Sequence, residues 1–330
     1  MTQGVGDAIS ARDADLALEP ARPGVRVIEG LRVIEGRSPF ALAFDRLRRD
    51  RGAVVSLIVI AAIVVVAVAA PLLGLITGHG PNHQYRGLNA LSPSGQPHAP
   101  SATFWFGTDD QGRDILVRTA YGARISLTVG IGATAITIVV GVVVGLLTGY
   151  FRGAVDTVLA RLIDVVLAIP YLLFAIALVA ILGRINMWIV MLVIAGAGWA
   201  SVARIIRGQV ISMREREYVE AALSLGASDW RIIFVDILPN VIAPAIVFST
   251  LLLPVSVVSE AALSYLGVGV PPPTADWGQM ISDAQGLYTE AWWYLFFPGM
   301  ALLVTTLAFN IFGDGVRDAF DPRSDRLFVK

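Results

Sequence analysis

Asp164 and Glu260 each lie inside an otherwise apolar run of this 330-residue chain. A lone charge at mid-depth of a bilayer costs about 3 kcal/mol or more, so such a residue marks an ion or substrate path unless a partner satisfies it. Asp164 follows Arg161 by three residues, and the two are expected to meet on one helix face. Glu260, in SVVSEAALSYLG, has no basic residue within a helical turn. It reads either as a carboxylate at the water boundary holding the following loop, or as a residue of a substrate pathway. Asp109, Asp110 and Asp114 crowd near a glycine, but the DxDxDG spacing and closing glutamate of a calcium loop are absent. They are expected instead to neutralise Arg113 and Arg118 in a salt-bridged turn leading into a helix at the interface. His79, His83 and His98 share one segment, and Gly80 and Pro81 prevent a helix that would align the first two on a metal, so all three read as surface-loop histidines.

The elements that position these residues are membrane helices. The hydrophobic share is 55%, the charged share 15% and the mean hydropathy +0.69, values of a polytopic membrane protein. Crossing about 30 Å of hydrocarbon takes about 20 helical residues. Six runs qualify: Ala53–Ile76, Ile125–Tyr150, Leu162–Leu182, Met187–Val202, Val241–Leu266 and Ala291–Phe312. With the N-terminus inside, inner segments carry 20 of the 25 basic residues and outer segments five. The excess of arginine predicts both termini in the cytoplasm. Gly141, Gly145 and Gly149 form a small-xxx-small seam for close helix packing, within the subunit or toward a partner subunit.

Residues 1–36 read as a flexible cytoplasmic tail with a tandem repeat, RVIEG at 26–30 and again at 32–36, and too little apolar content for a core. No early apolar run has the form of a secretory signal. The six-helix domain is expected over 37–330, with an outer segment at 77–124 and a cytoplasmic segment at 213–240. There is no cysteine, which excludes thiol chemistry and cysteine metal sites. The single lysine, Lys330, is the last residue, so no phosphate-binding GxxxxGK[ST] loop is expected, and any nucleotide is expected to be held by another chain. A net charge of −1 gives no argument for nucleic acid.

The segment at 213–240 is too polar to sit in hydrocarbon and must stand in water. Glu215, Glu217 and Glu220 suit the N-terminal end of a short helix, Val219, Ala222 and Leu223 share a face, and Gly226 supplies a left-handed stop. Ser228 is placed to cap a second short helix, and Pro239 to permit a turn before the fifth span. The result is a knob that a partner groove can accept.

Glu220-Ala221-Ala222, then Gly226, then Leu238-Pro239 resembles the EAA motif of the permease subunits of ABC importers; Asp236 departs from the consensus isoleucine. A second EAA string at Glu260–Ala262 lacks the glycine and the Leu-Pro. FGTDDQGRDILVRTAYGARISLTVG, EAALSYLGVGVPPPTADWGQM and LAFNIFGDGVRDAFDPR also resemble the dipeptide/oligopeptide/nickel branch, specifically its second permease subunit, over residues 38–326.

The resemblance implies an all-α, six-helix type I ABC importer permease fold in a bacterial cytoplasmic membrane. It implies a heterodimer with a second, homologous permease subunit, two ATPase subunits that hold ATP and magnesium, and an extracytoplasmic binding protein. This chain would have no catalytic residue, metal or cofactor of its own. Glu220, Ala221, Ala222 and Gly226 would form the coupling helix in an ATPase cleft, with Leu238 and Pro239 closing the motif. Glu260 would be the candidate for contact with a peptide ammonium group. Nickel or another small solute remains an alternative cargo. A secondary transporter driven by an ion gradient would instead rely on Asp164 and Glu260.

Overall fold

The computed structural model describes residues 39–85, 90–93, 95–183 and 185–321. The expected tail at 1–36, with its repeat, lies outside them. Among the described residues the chain is helical, with two isolated β-bridges in the outer segment and no strand.

Helix α1 (Pro39–Arg49) ends at Asp50, whose extended backbone and side chain cap α2 (Arg51–Val68) by accepting from the Gly52 and Ala53 amides. The first apolar run does not continue unbroken to Ile76. It breaks at Ala69, and α3 (Ala70–Thr77) follows with Pro71 in its first turn, where a missing N–H costs nothing. The second span starts ten residues before the expected Ile125. Asp114 caps α4 (Ile115–Tyr150) by accepting from the Val117 amide, so the turn feeds the membrane helix directly and no separate interfacial helix forms. At about 1.5 Å per residue, the 36 residues of α4 exceed a hydrocarbon core, and its ends stand outside.

The third span, expected as one helix over Leu162–Leu182, is instead two. α5 (Ala154–Ala168) and α6 (Tyr171–Leu182) meet at a 96° bend. Pro170 is the cause: the residue before a proline is driven out of the helical region, and Ile169 has ψ 126°. Beyond it, α7 (Met187–Arg214) runs twelve residues past the expected end at Val202. Among the described residues five helices are long and apolar enough to cross a membrane, or six if the bent pair is counted as one span.

Close packing of α4 on α7 forms the centre. A Cβ at Gly141 would come 2.5 Å from Val202 Cβ, one at Gly145 2.6 Å from Ile206 Cβ, and one at Gly149 2.5 Å from Val210 Cβ. The glycine seam therefore joins two helices of this one chain. Below it, Leu146, Val202, Ile206 and Val210 form one core with Val219, Ile232, Ile233 and Ile237 from the polar segment.

After α8 (Glu217–Ser224) comes α9 (Asp229–Arg231), then a π-helical turn (Ile232–Ile237) that leads without interruption into α10 (Leu238–Tyr265). Pro239 does not make the expected turn. It lies in the first turn of α10, and the wider π turn before it accommodates the ring and the missing N–H. The fifth span is thus one helical rod from Asp229 to Tyr265. Two further helices close the bundle, α11 (Trp277–Ala284) and α12 (Trp292–Phe320).

Candidate functional site

Helix α7 ends at Arg214, and two residues later α8 turns the chain across its end. Glu217 and Glu220 occupy the first turn of α8, where the helix dipole favours acid. The helix stops at a Schellman corner: the Gly226 amide donates to Leu223 O and the Ala227 amide to Ala222 O, both at 3.0 Å. Gly226 has φ +79°, a left-handed value that a side chain would strain, and its missing Cβ faces open space. Glycine is here for its backbone and not for a close contact.

One face of the segment is anchored. Val219 is buried in the core beneath α4 and α7, and Ala222 and Ala227 pack against that core. Spacing groups Leu223 with this face, but it is 43% exposed, and Leu225 at the tip is 88% exposed. Glu220, Ala221 and Gly226 are exposed too, and Glu220 has no basic partner among the described residues. Ala222 and Leu238 are half-buried, and Pro239 is exposed on the rod that follows. Ser228 precedes α9 as expected, but its side chain makes no capping bond. The site thus has an apolar rear wall and a bare front of small, acidic and aliphatic side chains.

Three contacts that no motif announces join this knob and the ends of α4 and α7. Tyr150, the last residue of α4, donates its hydroxyl to Asp229 Oδ1 at 2.7 Å. The Arg214 guanidinium lies 5.3 Å from the centre of the Tyr150 ring, a cation–π distance. The Trp230 ring meets Phe151 edge-on at 6.2 Å. Tyr150 and Asp229 are 79 residues apart, so no local spacing could have paired them.

Glu260 is fully enclosed, at 0% exposure, and so does not sit at the water boundary, but through Ser264 and Asp276 it is linked to the end of the following loop, as that reading expected. Its Oε2 accepts from Ser126 of α4 at 2.9 Å. Ser264 Oγ lies 3.1 Å from Glu260 Oε1 and 2.9 Å from Asp276 Oδ2, and Asp276 caps α11 through the Gln279 amide. Glu260 therefore joins α4, α10 and α11. Asp164 does not pair with Arg161 on its own helix. It pairs with Arg204 of α7 at 2.5 Å, beside an Arg207–Asp156 pair at 2.7 Å. Both pairs line a cleft of about 380 Å³ between α5 and α7.

In the outer segment Asp109 bonds Arg113 and lies 3.4 Å from Arg118, and Asp110 lies 3.8 Å from Arg113, as the salt-bridged turn predicts, but Asp114 pairs with neither arginine and Asp109, Arg113 and Arg118 are buried. Burial pushes the Asp109 carboxyl above the ordinary aspartate value, while the two guanidinium groups pull the other way. Arg118 also donates to the Pro81 carbonyl at 2.9 Å. His79 is not a surface histidine. It is buried, stacked on Phe104, with Nδ1 2.6 Å from Asp114 Oδ2. Aromatic neighbours and a capping aspartate draw the ring inward.

The sequence and fold have relatives among characterised families. Residues 141–326 match the family described as binding-protein-dependent transport system inner membrane component, and residues 38–93 match the N-terminal TM domain of oligopeptide transport permease C. The dipeptide transport system permease protein DppC of Alkalihalophilus pseudofirmus is 41% identical over 286 residues, 87% of this chain and 90% of that protein. The oligopeptide transport system permease protein OppC of Bacillus subtilis is 40% identical over 281 residues, 85% and 88% of the two chains. In fold, the chain is similar to a chain of the inward-facing MetNI methionine ABC transporter, with TM-score 0.51, 17% identity and coverage of 61% of this chain and 96% of that one. With its all-helical bundle, its apolar spans and a polar knob between the fourth and fifth of them, the chain belongs to the binding-protein-dependent inner-membrane permease family and has the type I ABC importer permease fold.

Proposed function

We propose that this chain is one of two permease subunits of an ATP-driven importer of di- or oligopeptides, and that residues 217–231 couple it to a separate ATPase. The observation that carries the reading is the division of the knob into an anchored rear and an exposed front. Val219 and Ala222 fix α8 to the core, while Glu220, Ala221 and the Gly226 corner are free to enter a groove. A rigid contact of this kind passes on a displacement, because the Asp229–Tyr265 rod begins at the knob and continues through the membrane. The cargo class rests on the relatives, which are named for dipeptide and oligopeptide transport. Arginine distribution supports a cytoplasmic knob and cytoplasmic termini. Closure of the ATPase dimer on ATP then moves α8 and its rod, and the pathway alternates between outward and inward access.

The test is uptake by proteoliposomes holding this chain, the second permease and two ATPases, with the binding protein supplied outside. Dipeptide uptake is expected to need ATP, and Glu220→Lys is expected to lower it at least about tenfold, the effect of about 1.4 kcal/mol, while the subunits still co-purify. Uptake on a proton gradient without ATP, or full activity of an assembled Glu220→Lys complex, would reject the reading.

A further inference from the structure

The first helix carries a surface that the transport reading does not use. Along α1, PFALAFDRLRR, Phe40 and Phe44 fall on one side at i, i+4, and they remain 48% and 55% exposed. Arg48 lies over the Phe44 ring at 4.9 Å. Arg49 and Arg51 are exposed beside it. Among the described residues none of Arg48, Arg49 and Arg51 has a carboxylate partner. Residues 45–51 hold four arginines against two aspartates, and the Asp50 carboxylate is committed to the amides of Gly52 and Ala53.

The depth of this surface follows from its neighbours. Arg51 opens α2, whose next residues expose Val54, Val55, Leu57 and Ile58, a lipid-facing pattern in a membrane span. The water–hydrocarbon boundary therefore passes close to Arg51, and α1 ends at Arg49, one residue short of it. The helix is tied to the end of α12. Arg46 donates to Ala319 O at 3.3 Å and to Asp321 O at 3.0 Å, the Phe40 ring meets Phe320 edge-on at 5.7 Å, and Ala43 is buried. Among the described residues, what remains uncovered is a strip of aromatic rings and guanidinium groups next to that boundary.

We propose that α1 and Arg51 form a binding surface for anionic phospholipid headgroups, held in place by the C-terminal turn of α12. Charge selects the occupant. A protein groove of any composition could cover phenylalanines, but three arginines beside the boundary with no carboxylate partner among the described residues are complemented by a leaflet rich in phosphatidylglycerol or a similar acidic lipid. Guanidinium groups bind phosphate oxygens in a fork geometry, which suits a headgroup phosphodiester. The proposal does not depend on the cargo, on the ATPase or on which face of the membrane α1 occupies.

The test uses the full chain in mild detergent, titrated with phosphatidylglycerol or phosphatidylcholine of identical acyl chains, with bound lipid counted by native mass spectrometry. One arginine at a lipid surface corresponds to about a fivefold change in affinity, so roughly 100-fold is at stake in three. The intact chain is expected to favour phosphatidylglycerol at least about tenfold, and the preference to weaken as salt rises. Replacing all three arginines by glutamine (R48Q/R49Q/R51Q) should bring the two lipids within about twofold, and the lysine triple (R48K/R49K/R51K) should keep most of the preference. Phe44→Ser should weaken both lipids alike. Retention of the tenfold preference in the glutamine triple, its loss in the lysine triple, or displacement of the lipid by inorganic phosphate alone would overturn the proposal.

Discussion

At the scale of single residues, the informative contact is the one between Tyr150 and Asp229. The ring of Tyr150 is held by Arg214 and by the core around α4, so Tyr150→Phe keeps the packing and removes only the hydroxyl. A lost hydrogen bond of this kind costs about 0.5–1.5 kcal/mol, too little to unfold a bundle. If the knob drives the membrane helices, Tyr150→Phe is expected to lower the peptide imported per ATP hydrolysed severalfold while ATP turnover and assembly persist. Unchanged stoichiometry would leave the bond a purely structural one. Glu260 makes the contrasting case. Its carboxylate bonds Ser126 and Ser264 inside the protein, and Glu260→Ala strands the Ser126 hydroxyl at about 1–3 kcal/mol, while Ser264 keeps Asp276. A thermal midpoint well below that of Glu260→Gln is expected, because glutamine retains an acceptor and gains a donor.

At the scale of elements, the α4–α7 seam carries the architecture. A side chain at Gly145 meets Ile206 and the Ala203 carbonyl, the latter at 2.8 Å. Overpacking of this kind costs about 1–3 kcal/mol or more. Gly145→Val is therefore expected to lower the thermal midpoint clearly, whereas Gly208→Ala on α7, with open space at its Cβ, should leave it within error or raise it. A smaller loss at Gly145 than at Gly208 would show that the seam opens freely. The bend at Pro170 belongs to the same scale. The proline was visible in the sequence, but hydropathy summed over 162–182 registers an unbroken apolar run, because it counts transfer energy and is blind to a backbone angle.

At the scale of the whole molecule, the absence of cysteine gives a direct test of orientation. Leu225→Cys at the knob tip and Trp105→Cys in the outer segment both place a thiol on an exposed site. In intact cells, a membrane-impermeant maleimide is expected to label Trp105→Cys and to reach Leu225→Cys only after lysis. The reverse pattern would invert the topology drawn from arginine counts.

Span number and approximate place, the glycine seam, the exposed acidic knob and its glycine corner were legible in the sequence, because each depends on local composition or on a spacing within one helix. Transfer energy places apolar runs, small residues at i, i+4 allow helices to approach, and a left-handed corner calls for glycine. Everything that depends on residues far apart in the chain was decided by the tertiary structure. The packed bundle gave Asp164 to Arg204 and not to Arg161, buried His79 against Phe104 and Asp114, enclosed Glu260 among Ser126 and Ser264, and set Tyr150 on Asp229. A buried polar group must find a partner wherever packing leaves it, and the identity of that partner is fixed by three-dimensional proximity that no spacing along the chain encodes.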